Sequence, residues 1–232
     1  MMELKWTRRA ILKLIALMGA TSLVVGAYKY MKGDSKILLP KPSKDGEISV
    51  ERAIASRRSI RQFRPGAIEL RQLSQLLWAA QGITDPRGFR AAPSAGALYP
   101  LEIFIVTGEV EELEEGIYHY DVEEHTLELR KEGDLRHEIA YAASNQMWIK
   151  DAQAIVIVCA IYGRTTRKYG SRGERYVHME AGHVGENIYL QAGSLGLACT
   201  VVGAFLDDEV RRILDVSKEV KPLYLIPMGK PS

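Results

Sequence analysis

The chain has 232 residues, 47% of them hydrophobic and 26% charged, enough for one large domain with a sizeable core. The formal net charge of +2 is unevenly placed: residues 1–32 carry six cations (Lys5, Arg8, Arg9, Lys13, Lys29, Lys32) against one acid, Glu3. The remainder is therefore mildly acidic and gives no reason to expect a nucleic-acid partner. Cys159 and Cys199 lie in separate apolar runs, which excludes a disulfide scaffold or zinc spacing.

Thr7-Arg8-Arg9-Ala10-Ile11-Leu12-Lys13 opens into an apolar run from Leu14 to Tyr28. A charged start followed by a short hydrophobic stretch is the plan of an export signal, and the paired arginines resemble a twin-arginine signal. The run is shorter than the roughly 20 residues of a membrane span. Residues 1–27 are thus expected to be a signal or a membrane anchor, with a tether through residues 10–28 and an exported, extracytoplasmic or membrane-anchored location. Residues 28–46, polar and carrying Pro40 and Pro42, read as a linker. Residues 47–232 form the domain.

Within it, Val50 to Arg58 is expected to be a helix with Ala53 and Ile54 inward. Glu69 to Gln81 is a stronger helix, with Leu70, Leu73, Leu76, Leu77 and Ala80 at helical spacing and Gly82 as its stop. Leu101 to Thr107 reads as a buried strand. Gly116 to Asp121 and Thr126 to Arg130 read as a hairpin with an acidic turn, followed by a helix from Asp134 to Ala143. Ala154 to Tyr162 is a continuous apolar run, expected to be buried on both faces. Tyr176 to Leu195 is the longest helix, its small residues Ala181, Gly182 and Gly185 permitting close packing. Cys199 to Ala204 and Leu223 to Met228 are further strands around a short helix, Asp207 to Leu214. Helices and strands interleave, which points to one α+β domain.

Two stretches concentrate chemistry. Arg57-Arg58-Ser59-Ile60-Arg61 sets three cations around a hydroxyl, and such charge needs an anion. Arg57 and Arg61, at i and i+4, share a face if the stretch stays helical; the alternative is a basic helix end capping its own carbonyls. The loop Pro93-Ser94-Ala95-Gly96-Ala97-Leu98-Tyr99-Pro100 uses small residues before a strand, which lets a flat ligand approach the backbone. Together they suit one phosphorylated, planar cofactor. His178 and His183 fall about 140° apart on a helix, so they do not form a metal pair, and no metal site is expected.

With Lys168-Tyr169-x-x-Arg172, Glu180-Ala181-Gly182-His183 and Val202-Gly203-Ala204-Phe205 added, residues 50–232 resemble the nitroreductase-like flavin enzymes. Within that superfamily they are most similar to the branch that oxidises azoline rings in modified peptides. The resemblance implies a mixed α+β sheet flanked by helices, two FMN per homodimer and active sites at the subunit interface. It implies that Arg57 and Ser59 hold the phosphate with Arg58 beside them, and that Arg61 reaches the pyrimidine edge of the ring. Pro93, Ser94, Ala95, Gly96 and Ala97 pass under the ring, and Gly203 and Ala204 lie near its N5. Lys230 stands where relatives place a phosphate-binding cation. Ala97 replaces an Asn that many relatives carry, which leaves the donor to N5 or O4 open, a backbone N–H being one candidate. By the same resemblance Lys168 and Tyr169 act in proton removal while the flavin takes hydride; on the residues alone, Arg164 to Arg175 also reads as a solvated basic loop. Glu180 organises the site or pairs with a nearby arginine. The substrate is a small molecule or a modified peptide, and a nitroaromatic or quinone reductase and a non-catalytic FMN-binding protein are the rival readings.

Overall fold

The computed structural model describes residues 36–232; the expected export signal and the start of the linker lie outside the described residues. Seven strands form one sheet: β1 (Lys36–Leu38), β2 (Leu101–Thr107), β3 (Gly116–Asp121), β4 (Thr126–Glu132), β5 (Ala154–Ile161), β6 (Ala198–Cys199) and β7 (Val220–Gly229). They lie in the order β1-β4-β3-β2-β5-β7-β6, and every ladder between them is antiparallel. Six α-helices accompany them among the described residues: α1 (Val50–Ser56), α2 (Leu70–Gln81), α3 (Arg136–Ala142), α4 (Gly163–Tyr169), α5 (Arg172–Ser194) and α6 (Asp207–Leu214). The class is α+β, as expected.

The strand β5 explains the architecture. Val156 and Val158 enter the core built with α2 and α5. Ile155, Ile157 and Cys159 alternate to the opposite face and meet α3 and α6. Side chains alternate along a strand, so a continuous apolar run is what a central strand needs when helices cover both faces of its sheet. Cys159 and Cys199 are free and buried. The helix α2 forms as its pattern predicts: Leu73, Leu76, Leu77 and Ala80 are fully buried. The Glu69 N–H donates to the Gln72 side chain at 3.0 Å, and a Cβ at Gly82 would come within 2.2 Å of Trp78 Cδ1, so only glycine fits there.

Several expectations change, among them the strand Cys199 to Ala204, which shrinks to Ala198–Cys199. The linker is partly folded: residues 36–38 are an edge strand paired with β4. The Ser74 hydroxyl donates to the Pro40 carbonyl at 2.6 Å, and the Ser43 N–H donates to Gln75 Oε1 at 2.8 Å. Helix α1 stops at Ser56, because Arg57 turns to φ −53°, ψ 125°; Arg57 and Arg61 therefore do not share a helical face. Ile54 is exposed while Ala53 is buried, since neighbours on a helix point about 100° apart and so short a helix packs only one of them. Finally, Arg164 to Arg175 is not a loop: α4 runs to Tyr169, Gly170 turns the chain at φ +59°, and α5 resumes at Arg172.

Candidate active site

The singled-out residues gather into two clusters, held by different edges of α5. The first is built on Tyr189. Ser59 Oγ and Tyr189 Oη share a hydrogen bond of 2.8 Å, and the Arg57 guanidinium stacks over the Tyr189 ring, 5.1 Å from its centroid. The Val201 N–H donates to Tyr189 Oη at 2.8 Å, and Thr200 Oγ1 lies 3.2 Å from it. One phenol thus ties the Arg57–Arg61 segment to the strand that leads into Gly203 and Ala204. The Ile60 N–H donates to the Cys199 carbonyl and the Arg64 N–H to the Lys230 carbonyl, each at 3.0 Å.

Lys230 is anchored through its backbone. Its N–H donates to Gln153 Oε1 at 2.8 Å, and a Cβ at the preceding Gly229 would strike that oxygen at 1.9 Å. Arg57, Arg58 and Arg61 have no carboxylate partner among the described residues. They are not equivalent, however. Arg58 donates to the carbonyls of Ala55 at 3.2 Å and of Arg57 at 2.7 Å, so it caps the end of α1, as the alternative reading has it. Gly203 and Ala204 are exposed beside this cluster.

The second cluster is built on the loop from Pro93 to Pro100. Its middle is held in left-handed backbone: Gly96 at φ +65°, Ala97 at +52° and Tyr99 at +43°. Two non-glycine residues there cost of order 1 kcal/mol each. Several bonds hold the turn. The Tyr99 N–H donates to Ser94 Oγ at 3.0 Å, Arg90 stacks over the Tyr99 ring at 4.4 Å, and Arg164 donates to the Tyr99 carbonyl at 3.1 Å. Arg164 also pairs with Glu102, which His119 contacts at 2.6 Å. Burial pulls the Glu102 carboxyl up, but the bond to His119 and the Arg164 guanidinium outweigh it and hold the group below the usual carboxylate range.

Lys168 and Tyr169 reach this same loop. A Cβ on Gly96 would lie 2.7 Å from Tyr169 Oη and 3.0 Å from Lys168 Nζ, so the glycine is what lets the pair close on the loop. Lys168 Nζ itself sits 5.4 Å from the Tyr169 ring centroid. Gly96 and Ala97 are exposed while Ser94 and Ala95 are half-buried, so the loop presents its small residues outward.

Beneath the loop, Glu180 is 2% exposed. It accepts from Gln81 Nε2 at 3.4 Å and is hydrogen-bonded to Ser94. Gln81 in turn accepts from Arg90 at 3.2 Å. Burial pushes the Glu180 carboxyl up to about 7, against the Ser94 and Gln81 hydrogen bonds and the Arg90 charge, which favour its ionised form. Arg90 Nε is buried without a hydrogen-bond partner.

The two clusters do not close on one another. Among the described residues, no hydrogen bond or ring contact joins the 93–100 loop to Arg57, Arg58, Ser59 or Arg61. Glu180 and Tyr189 are nine residues apart, which places them about 180° apart around α5. A cleft of about 740 Å³ between residues 41–50 and the helices α2 and α5 contains none of the expected site residues. Tyr189 and Arg90 are site residues that sequence patterns missed as ligand-holding groups, because a tyrosine inside a helical apolar pattern reads as core. His178 is a third: its Nε2 shares a 2.5 Å hydrogen bond with Tyr162 Oη.

Fold and site together define an α+β protein whose chemistry-bearing loops project from the margin of an antiparallel sheet and around one long helix. The chain belongs to the nitroreductase family, whose model matches residues 54–230, and is thus an oxidoreductase of that superfamily. It is 48% identical over 184 residues, 79% of this chain and 92% of the other, to a protein of Methanocaldococcus jannaschii assigned as a nitroreductase. It is 28% identical to the Escherichia coli microcin B17-processing protein McbC over 167 residues, 68% of this chain and 61% of that one. Among solved structures, a Ralstonia eutropha protein assigned as a nitroreductase superposes with a TM-score of 0.75 at 28% identity, covering 85% of this chain and 90% of that one. The E. coli microcin synthetase McbBCD complex with bound truncated pro-MccB17 gives 0.66 at 25% identity, covering 85% and 79%.

Proposed function

We propose that this chain is an FMN-dependent oxidoreductase that dehydrogenates azoline-type rings in a modified peptide, with each site shared between two copies of the chain. FMN, when bound, supplies two-electron transfer as hydride. The residues present fit such a group. Arg57 and Ser59, fixed by Tyr189, offer a cation and a hydroxyl to a phosphate, and Arg61 adds charge on the same segment, whereas Lys230 Nζ lies beside Gly66, 3.6 Å from where a Cβ there would stand. Ala95, Gly96 and Ala97 offer a surface without bulky side chains to a flat ring, and Arg90 Nε leaves one buried donor without a partner.

The two clusters facing apart support sharing between copies, since each carries half of what one cofactor needs. Exposed Val50 and Ile54 on α1 and Met179 on α5 supply apolar surface for a second copy to cover. The relatives favour the peptide substrate, since one is a microcin-processing protein and its complex was solved with a pro-microcin bound. Residues 1–27 carry the protein out of the cytoplasm or anchor it to a membrane.

The observation that carries the dehydrogenase reading is the meeting of Lys168 and Tyr169 with Gly96. It sets an acid/base pair against the small-residue loop, where a substrate C–H must lose its proton as hydride leaves. The test begins with the visible spectrum of the purified protein and the ligand released on denaturation, where FMN near one per chain is expected. Lys168→Ala and Tyr169→Phe then retain FMN but oxidise an azoline-bearing peptide at least 100-fold more slowly. Colourless protein that takes up no added FMN sinks the cofactor assignment; unchanged turnover in both variants sinks the acid/base assignment.

A further inference from the structure

Helix α4 ends in Lys168 and Tyr169, yet its sequence, Gly163-Arg164-Thr165-Thr166-Arg167-Lys168-Tyr169, gives it little to bury. Thr165 is the one residue of α4 that is buried. Apolar packing therefore does not fix the direction in which so short a helix points, and other anchors must. The Ile161 N–H donates to the Pro100 carbonyl at 2.8 Å, which sets the point where the chain leaves β5 for α4. On one side α5 comes close at Gly173, where a Cβ would stand 2.9 Å from Thr166 Cα, and the Tyr169 and Tyr176 rings meet edge-to-face at 5.2 Å. Those contacts hold α4 to α5. A single side chain from its first turn, Arg164, holds it to the loop.

Arg164 spreads its guanidinium over two acceptors. Nη1 donates to the Tyr99 carbonyl at 3.1 Å, and Nη2 donates to Glu102 Oε1. His119 Nε2 lies 2.6 Å from the other oxygen, Glu102 Oε2. Glu102 is held ionised against its burial by these two partners, and a carboxylate only accepts, so the imidazole nitrogen donates. The His119 ring lies 5.0 Å from that of Phe104, its opposite number across the β2–β3 ladder. Glu102 stands on β2 and His119 on β3, strands paired on both sides. The series His119, Glu102, Arg164 thus refers both α4 and the strained turn at Tyr99 to the middle of the sheet.

We propose that Glu102 and Arg164 are positioning residues for the dehydrogenation: backed by His119, they set the angle of α4 against the 93–100 loop, and with it the placement of Lys168 Nζ and Tyr169 Oη over Gly96. The proposal rests on the dehydrogenase reading above. Lys168 follows Arg164 by four residues, so it stands one turn on and on the same side of the helix, about 6 Å along the axis. A tilt of about 10° at Arg164 displaces Lys168 by about 1 Å, and a misplacement of that size costs roughly 100-fold in rate. Arg164 acts through the backbone it orients.

The test uses FMN-loaded protein and a synthetic peptide with one thiazoline ring, carrying protium or deuterium on the ring carbon that loses its proton. Anaerobic loss of the oxidised-flavin absorbance reports the step. Arg164→Ala and Glu102→Gln are expected to keep their FMN and their half-saturating peptide concentration but to reduce flavin roughly 10- to 100-fold more slowly. Their deuterium isotope effect exceeds that of the wild type, because proton removal has become the slow step. Added guanidinium, below denaturing concentrations, restores rate to Arg164→Ala but not to Lys168→Ala. Arg164→Lys stays slow, since an ammonium keeps the charge but not the planar fork. In a readout without turnover or cofactor, hydrogen–deuterium exchange of both slow variants rises over residues 94–100 and 163–170 and is unchanged in β2 and β5. Should Arg164→Ala fold poorly, Glu102→Gln carries the same comparison. Wild type that loads no FMN, or leaves the peptide unoxidised, overturns the dehydrogenase reading and this one with it. Wild type that oxidises the peptide, with Arg164→Lys as fast or with slow variants that show neither rescue nor a larger isotope effect, overturns the positioning role alone.

Discussion

Glu180 is the most exposed to test of the buried groups, because its environment makes stability depend on pH in a stated direction. Its carboxyl is 2% exposed and titrates at about 7 against 4.5 in the unfolded chain, chiefly because burial disfavours the charge. The folded state therefore holds a proton that the unfolded state releases between those values. The stability this proton provides is fully present below pH 4.5 and is lost as pH rises through 7. The interval of about 2.5 units corresponds to roughly 3 kcal/mol. Glu180→Gln keeps an acceptor for Gln81 and cannot ionise, so it removes this loss. Urea unfolding of both proteins at pH 5 and pH 8, with the same FMN excess in each sample, checks it. The variant's stability relative to wild type is expected to rise by about 3 kcal/mol from pH 5 to pH 8, a shift of roughly 6–12 °C in Tm for a chain of this size. Parallel pH profiles refute a buried, proton-holding Glu180.

Two other substitutions bear on the site directly. Arg57→Ala weakens FMN binding roughly 10- to 100-fold in fluorescence titration, the worth of a charge-assisted hydrogen bond, whereas Arg58→Ala falls at least tenfold short of that, since Arg58 spends its donors on Ala55 and Arg57; equal losses contradict the capping geometry. Gly96→Ala puts a methyl 2.7 Å from Tyr169 Oη at φ +65°, and thermal unfolding is expected to show a loss of about 1–2 kcal/mol; an unchanged Tm denies that Tyr169 packs on the loop.

The elements were legible because their patterns are local. The alternation of β5 and the Leu70 to Ala80 spacing in α2 each report one face of one element, and the structure returns both at nearly the expected bounds. The site was legible as residue types but not as an arrangement. Continuing α1 through Arg61 was reasonable by spacing, yet the helix ends at Ser56, and Ser59 is held through Tyr189, 130 residues away. No periodicity encodes such a bond. The Tyr162–His178 hydrogen bond is illegible for the same reason: the sequence sets His178 beside His183 on its own helix, whereas its partner comes from the end of β5. Residues 36–46 read as a linker by composition, and it is pairing with β4 and bonds to Ser74 and Gln75 that make them part of the domain.

The division into two clusters makes one prediction that a site contained within one chain does not share. Arg57→Glu reverses the charge at the Tyr189 cluster and leaves the loop intact. Gly96→Trp fills the loop surface and leaves the Tyr189 cluster intact. Each protein alone is expected to elute as a dimer and carry almost no FMN. After the two are unfolded together and refolded in equal amounts, about half the dimers contain one chain of each kind. In such a dimer with shared sites, one site receives both changes and the other receives neither, because the intact loop of the first chain meets the intact cations of the second. The mixture then recovers about a quarter of the FMN per chain that wild type holds, read from visible absorbance after gel filtration. Were each site built from one chain, no chain in the mixture would hold an intact site and recovery would be nil. Since both parents are required to be dimeric beforehand, nil recovery cannot be put down to failed assembly, and it would return the two clusters to being separate features of a single subunit.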